Sequence, residues 1–241
     1  MMKNNRGFTL PEVLVAMVVG MIILTAIYAA VISGQRSSGA IQRKVTTFQD
    51  ARAALELMAA EIQMASYNPN LTTGIWRTNA CALAAGDPVV QGNRGIQAAN
   101  PNSITIEMDI DGTGALMDHT DEIITYTYLG GANLNITRAT NCGGAQPFLG
   151  GALADGSITT RVVNDINMDG SFNSGDIPVF RYFDGSGAEI SPASLPTHTS
   201  DIARIEIALV VETQDIDPDI HQRRRMIYST SVIPRNHVVN Q

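Results

Sequence analysis

The chain has 241 residues, 16 Lys and Arg against 23 Asp and Glu, a formal net charge of −7, and 44% hydrophobic but only 5% aromatic residues. That length holds one ordinary domain plus an appendage, and the apolar content excludes a disordered or low-complexity chain. The acidic balance argues against nucleic-acid binding, which needs a basic face to displace counterions from phosphates.

The apolar residues are concentrated near the amino terminus. From Val13 to Ile32, twenty positions carry no charged side chain. At about 1.5 Å per residue, a helix of that length crosses the roughly 30 Å hydrocarbon core of a bilayer. A membrane segment at about residues 8–33 is therefore expected. Lys3 and Arg6 precede it and no acid occurs before Glu12, so the positive-inside bias keeps the short end cytoplasmic and sends the bulk of the chain across. Arg36, Arg43 and Lys44 on the far side oppose this bias but precede a large translocated domain. The apolar stretch exceeds the roughly 7–15 residues of a cleaved secretory signal, so the anchor is expected to be retained. Glu12 stands at the edge of this stretch, where a carboxylate is costly and a positive amine is its expected partner.

The string Arg6-Gly7-Phe8-Thr9-Leu10-Pro11-Glu12, followed at once by the apolar run, resembles the class III leader of type IV prepilins and type II secretion pseudopilins. The resemblance implies that a prepilin peptidase cuts between Gly7 and Phe8 and methylates the new amino terminus. It also implies that Glu12 pairs with the Phe8 amine of a neighbouring subunit. Loss of residues 1–7 removes Lys3 and Arg6 and takes the net charge from −7 to −9.

Beyond the membrane segment, Ile41, Val45, Phe48, Leu55, Met58 and Ile62 are spaced 4, 3, 7, 3 and 4, which puts them on one stripe of an α-helix. No proline falls between Pro11 and Pro69, and Asn68-Pro69-Asn70 supplies a stop. The spacing predicts one helix from about Leu10 to Tyr67. Residues 70–102, rich in Gly and Pro, read as loop. Strands are expected at residues 104–108, 123–128, 134–137, 158–163, 179–183, 205–211 and 226–233, which are β-branched or aromatic and separated by Gly, Asn and Asp. The fold class is α+β. The expected divisions are a leader at 1–7, a helix at 8–67 and a β-rich periplasmic head at 68–241, and the resemblance implies a pilin-like lollipop with the helix packed on antiparallel sheet.

Within the head, Ile104-Thr105-Ile106, the turn Asp109-Ile110-Asp111-Gly112, Asp121-Glu122-Ile123-Ile124-Thr125-Tyr126, Val179 to Gly187 and Ser231 to Asn236 resemble PilW-type minor pilins and the related J-subunit pseudopilins. So does the stem stretch from Gln49 to Ile62. The resemblance implies a structural subunit rather than an enzyme. Its partners would be other minor and major pilins, the prepilin peptidase and the inner-membrane assembly platform. It would pass from the inner membrane, head in the periplasm, to a pilus or pseudopilus. A type IV pilus, a type II secretion system and an adhesin displayed on a pilin stem are the three alternatives.

Two loops carry ligand chemistry. From Asp165 to Asp176, oxygen donors fall at Asp165, Asn167, Asp169, Asn173 and Asp176, with Ser171 offering a carbonyl and Gly170 at loop position 6. This is the spacing with which a chain wraps calcium, although position 12 is Asp rather than Glu, the flanks read as strands, and a solvated turn uses the same residues. The second cluster, Asp109, Asp111, Asp118, Asp121 and Glu122, reads either as a calcium site or as an exposed hairpin turn. Cys81 and Cys142, the two cysteines, either pair in an oxidising compartment or remain buried thiols. Nucleophile-elbow, zincin, dinucleotide and P-loop motifs do not occur. His119, His198, His221 and His237 are expected at the surface, and Arg223-Arg224-Arg225 on a solvated strand edge.

Overall fold

The computed structural model describes residues 7–76, 95–151, 160–217 and 220–237. Among these residues one α-helix, α1 (Leu10–Gln63), is followed by nine strands: β1 (Ile96–Asn100), β2 (Ser103–Glu107), β3 (Ile123–Leu129), β4 (Asn135–Thr140), β5 (Gln146–Gly150), β6 (Thr160–Val162), β7 (Phe180–Phe183), β8 (Arg204–Thr213) and β9 (Arg225–Val232). The chain divides after Lys44 into an N-terminal unit and a head unit that begins at Val45. The class is α+β, as expected.

From Val13 to Ile32 the helix is apolar on every side, and no residue of its apolar window is buried. A helix hydrophobic all round is one that meets hydrocarbon or other protein rather than water. Its length and composition suffice to cross a membrane.

In the head unit the helix becomes one-sided. Ala51, Ala54, Leu55, Met58 and Ile62 are buried in the same core as the inward faces of both sheets. Met58 and Ile62 are wholly enclosed, each contributing roughly 1.5–3 kcal/mol by area burial. Phe48 meets the Tyr228 ring edge-on at 5.4 Å. The buried Glu61 receives the Tyr126 hydroxyl and two bonds from Arg138, Nη2 to Oε1 at 2.7 Å and Nε to Oε2 at 3.2 Å. Asp50 accepts the Thr160 hydroxyl at 2.9 Å. Charge-assisted, bidentate contacts of this kind fix register as well as adding energy.

The first sheet is an antiparallel meander in the order β1-β2-β3-β4-β5. In the second, β8 pairs antiparallel with β9 along one edge and with β6 and β7 along the other. Two strands differ from the sequence expectation. β1 falls inside the stretch read as loop, because a bulge between Ile96 and Ala98 breaks its alternation and its alanines carry little strand signal. β5 contains Pro147, tolerated because among the described residues β5 is an edge strand pairing with β4 alone. The helix also ends earlier than Tyr67. Met64, Ala65 and Tyr67 donate to carbonyls three residues back, Ser66 turns to φ 67°, and its N–H goes to the Glu107 carbonyl at 2.9 Å. Of the expected strand at 158–163, residues 158 and 159 lie outside the described residues.

Candidate functional site

At the start of α1, Thr9 is the N-cap and Glu12 stands at the third helical position. The Glu12 Oε2 accepts both the Thr9 N–H and the Thr9 hydroxyl at 2.9 Å. This is the backward arm of a capping box, with Pro11 in the first turn where its missing N–H costs nothing. The box was readable as Thr-x-x-Glu but is overshadowed by the oddity of an acid beside an apolar run. Phe8 is 89% exposed, so the bond between Gly7 and Phe8 lies on an open segment preceding the helix.

The 165–176 loop folds as a ring of Asx turns. Asp165 Oδ2 accepts Gly131 N–H at 3.0 Å and Gly170 N–H at 2.8 Å. Asn167 Oδ1 accepts Asp169 N–H at 3.2 Å, and Asp169 Oδ1 accepts Ser171 N–H at 2.7 Å. Asp169 Oδ2 accepts the side-chain amides of Asn167 and Asn173, each at 2.8 Å. Asp176 binds the Ile166 and Asn173 N–H groups at 2.8 Å. Asp165 is 2% exposed and its Oδ1 is buried without a hydrogen-bond partner. Burial pushes the Asp165 carboxyl up, but N–H donors from Gly131, Gly170, Met168 and Asp169 outweigh it and hold the group below its ordinary value.

The second acidic cluster is not an exposed turn throughout. Asp109 and Glu122 are fully buried, whereas Asp111 is exposed. The pairing of Glu107 with Ile123 and the bond from Met108 N–H to the Glu122 carbonyl at 2.8 Å bring the two ends of the β2–β3 connection side by side. Asn141 Oδ1 braces Glu122 by accepting its N–H at 3.1 Å and that of Ile123 at 3.0 Å. One carboxylate oxygen each from Asp109, Asp111 and Glu122 lies within 4.8 Å of the others. Desolvation first, then the neighbouring Asp118 carboxylate, pushes Glu122 above its ordinary value, against the opposing His119 and Met117 N–H donors. Asp121 does not join the group. It pairs with Arg138 at 3.0 Å.

Residues 2–28 match the family model described as the prokaryotic N-terminal methylation motif. The chain carries a type IV prepilin-like signal. That signal indicates a type IV pilin-like or pseudopilin-like protein. No curated protein and no solved structure matches the chain.

In this prepilin-like chain the remaining sequence expectations fall as follows. Cys142 sits in the β4–β5 turn at φ 62°, and its expected partner Cys81 lies outside the described residues, as do residues 1–6 of the leader. His119, His198 and His221 are exposed. His237 is not: it is buried, with Nδ1 3.0 Å from the Ser66 hydroxyl and Nε2 3.0 Å from the Thr199 carbonyl, so it fastens the chain's last described residues to the helix end. The arginine run is drawn into local pairs. Arg224 meets Asp217 at 2.5 Å, Arg225 meets Glu212 at 2.7 Å, and Arg223 donates to the Gln214 carbonyl at 3.0 Å.

Proposed function

We propose that the chain is a minor pilin of the PilW type that takes part in initiating a type IV pilus or in its tip complex. The carrying observation is a prepilin-like signal running directly into a helix whose apolar window is unburied among the described residues, while the same helix is built into a folded head further on. On this reading the prepilin peptidase cuts between Gly7 and Phe8 and methylates Phe8. The helix sits in the inner membrane with the head in the periplasm. Assembly then replaces lipid with the apolar stems of neighbouring subunits.

Glu12 has a specific part in that exchange. Its Oε2 is held by Thr9, which fixes the carboxylate at the helix start, where the Phe8 amine of an adjacent subunit provides a compensating positive charge. The protein works by assembly and catalyses no reaction. We also assign calcium to the 165–176 loop, held by Asp165, Asn167, Asp169, Asn173, Asp176 and the Ser171 carbonyl. The donors are all oxygen and the buried, unpartnered Asp165 Oδ1 fits such an ion. There calcium would brace the loop. Cys81 and Cys142 are assigned as a disulfide formed after export.

Glu12→Val tests the assembly reading. The variant is expected to insert in the inner membrane at parental levels and to be absent from sheared fibres. Recovery in fibres at parental levels contradicts it. Affinity purification of the native complex separates the two systems: pilus subunits support the minor-pilin assignment, and secretion components place the chain as a J-subunit pseudopilin.

A further inference from the structure

We propose that Asp109, Asp111 and Glu122 form a second calcium site, at the base of the β2–β3 connection. This goes beyond the assembly reading and does not rest on it. The first observation is convergence: three carboxylates, 13 residues apart from first to last, place an oxygen each within 4.8 Å of one another. Oxygens facing each other across a calcium ion at about 2.3–2.6 Å per bond are separated by at most roughly 5 Å.

The second observation is an orphan. Glu122 is 0% exposed, and its Oε1 is buried with no hydrogen-bond partner, while its Oε2 accepts the His119 N–H at 3.2 Å. Next to it stands another acceptor, the Asp118 carboxylate. Among the described residues no Lys or Arg forms an ion pair with Asp109, Asp111, Asp118 or Glu122. A buried carboxylate beside two or three others requires a compensating positive charge. A cation with hard oxygen preference supplies it, and the absence of nitrogen and sulfur donors in the set disfavours zinc or copper.

The loop around these groups shares three hydrogen bonds with the 165–176 loop. In each, the carboxylate at position 1 accepts the N–H of a glycine at position 6: Asp109 Oδ2 from Gly114 at 2.9 Å, Asp165 Oδ2 from Gly170 at 2.8 Å. In each, the position 3 side chain accepts the position 5 N–H, at 3.0 Å from Thr113 to Asp111 and 3.2 Å from Asp169 to Asn167. In each, the position 5 side chain accepts the position 7 N–H, at 3.3 Å from Ala115 to Thr113 and 2.7 Å from Ser171 to Asp169. Both glycines are left-handed, with φ of 78° and 80°. A chain turned this way points the odd-numbered oxygens inward. The first loop differs in taking its last carboxylate from position 14, Glu122, delivered by the strand register rather than by the loop itself.

The ion would also tie this connection to the segment after α1. Asp109 N–H binds the Tyr67 carbonyl at 2.8 Å, Asn70 donates to the Gly112 carbonyl, and a Cβ on Gly114 would come within 2.7 Å of Thr72 Oγ1.

The test is calcium titration of the full-length protein in detergent after chelator treatment, by calorimetry and by thermal melting. The parent should bind calcium with a melting temperature raised by roughly 5–10 °C at a hundredfold excess over Kd. Glu122→Gln and the exposed-site Asp111→Asn should each lose one bound calcium or weaken it at least tenfold, while Asp169→Asn retains that site. Asp111→Asn keeps the test decisive should Glu122→Gln not fold. No calcium binding by the parent, or unchanged binding in Asp111→Asn, overturns the proposal, as does loss of all binding in Asp169→Asn alone.

Discussion

One helix meets two environments, and its two glutamates mark the contrast. Glu61, in the half that belongs to the head, is buried and fully engaged by Tyr126 and Arg138 of the first sheet. Glu12, in the apolar half, is exposed and, among the described residues, bonds to Thr9, which precedes its helix. The same side chain on the same element is a structural lock where its own chain supplies the partner. Among the described residues Glu12 has no ionic partner. The apolar residues repeat the pattern: Met58 and Ile62 are enclosed, whereas Val15, Ile23 and Leu24 present more than half their surface.

The sharpest way to break this contrast is to remove the partner of one glutamate. Arg138→Ala leaves Glu61 buried beside Tyr126 and should cost about 3–5 kcal/mol, lowering the melting temperature of the head by roughly 10 °C. Glu12→Ala in the same assay should leave the head transition unchanged. Equal losses in the two variants would show that the halves share one stability. Next in size, Met58→Ala should cost about 2–5 kcal/mol through the cavity it opens. Ile23→Ala, 53% exposed in the parent, should stay within about 0.5 kcal/mol for head unfolding by denaturant.

The head should also show a pH dependence. Burial, then the Glu61 carboxylate, holds the Tyr126 phenol far above its ordinary value of 10.0. A group raised on folding lends stability that is complete below its unfolded pKa and lost as pH climbs toward the folded one. Head stability should therefore fall above about pH 10, and Tyr126→Phe should flatten that alkaline slope while costing about 1 kcal/mol at neutral pH. An unchanged slope in the variant assigns the alkaline loss to other groups.

The elements legible in sequence are those whose pattern is local. The run from Val13 to Ile32 and the stripe from Val45 to Ile62 announce α1, and the alternation in Ile123 to Tyr128 announces β3. β1 was hidden because its bulge and its alanines erase the alternation, and β5 because Pro147 reads as a break until its edge position is known. The Asp165 loop is contiguous and therefore visible. The Asp109 cluster was visible too, but not which of its acids converge, since Glu122 joins Asp109 and Asp111 through the β2–β3 register while Asp121 turns to Arg138. Glu61 and Arg138 lie 77 residues apart, and nothing in either neighbourhood announces their pairing.

The central claim is that the first seven residues are a leader whose removal creates the amine Glu12 is placed to meet. Mass spectrometry of the amino-terminal peptide, taken from protein recovered in assembled fibres, tests it directly. The account predicts a peptide beginning at N-methylated Phe8. Fibre-borne protein that still begins at Met1 would contradict it.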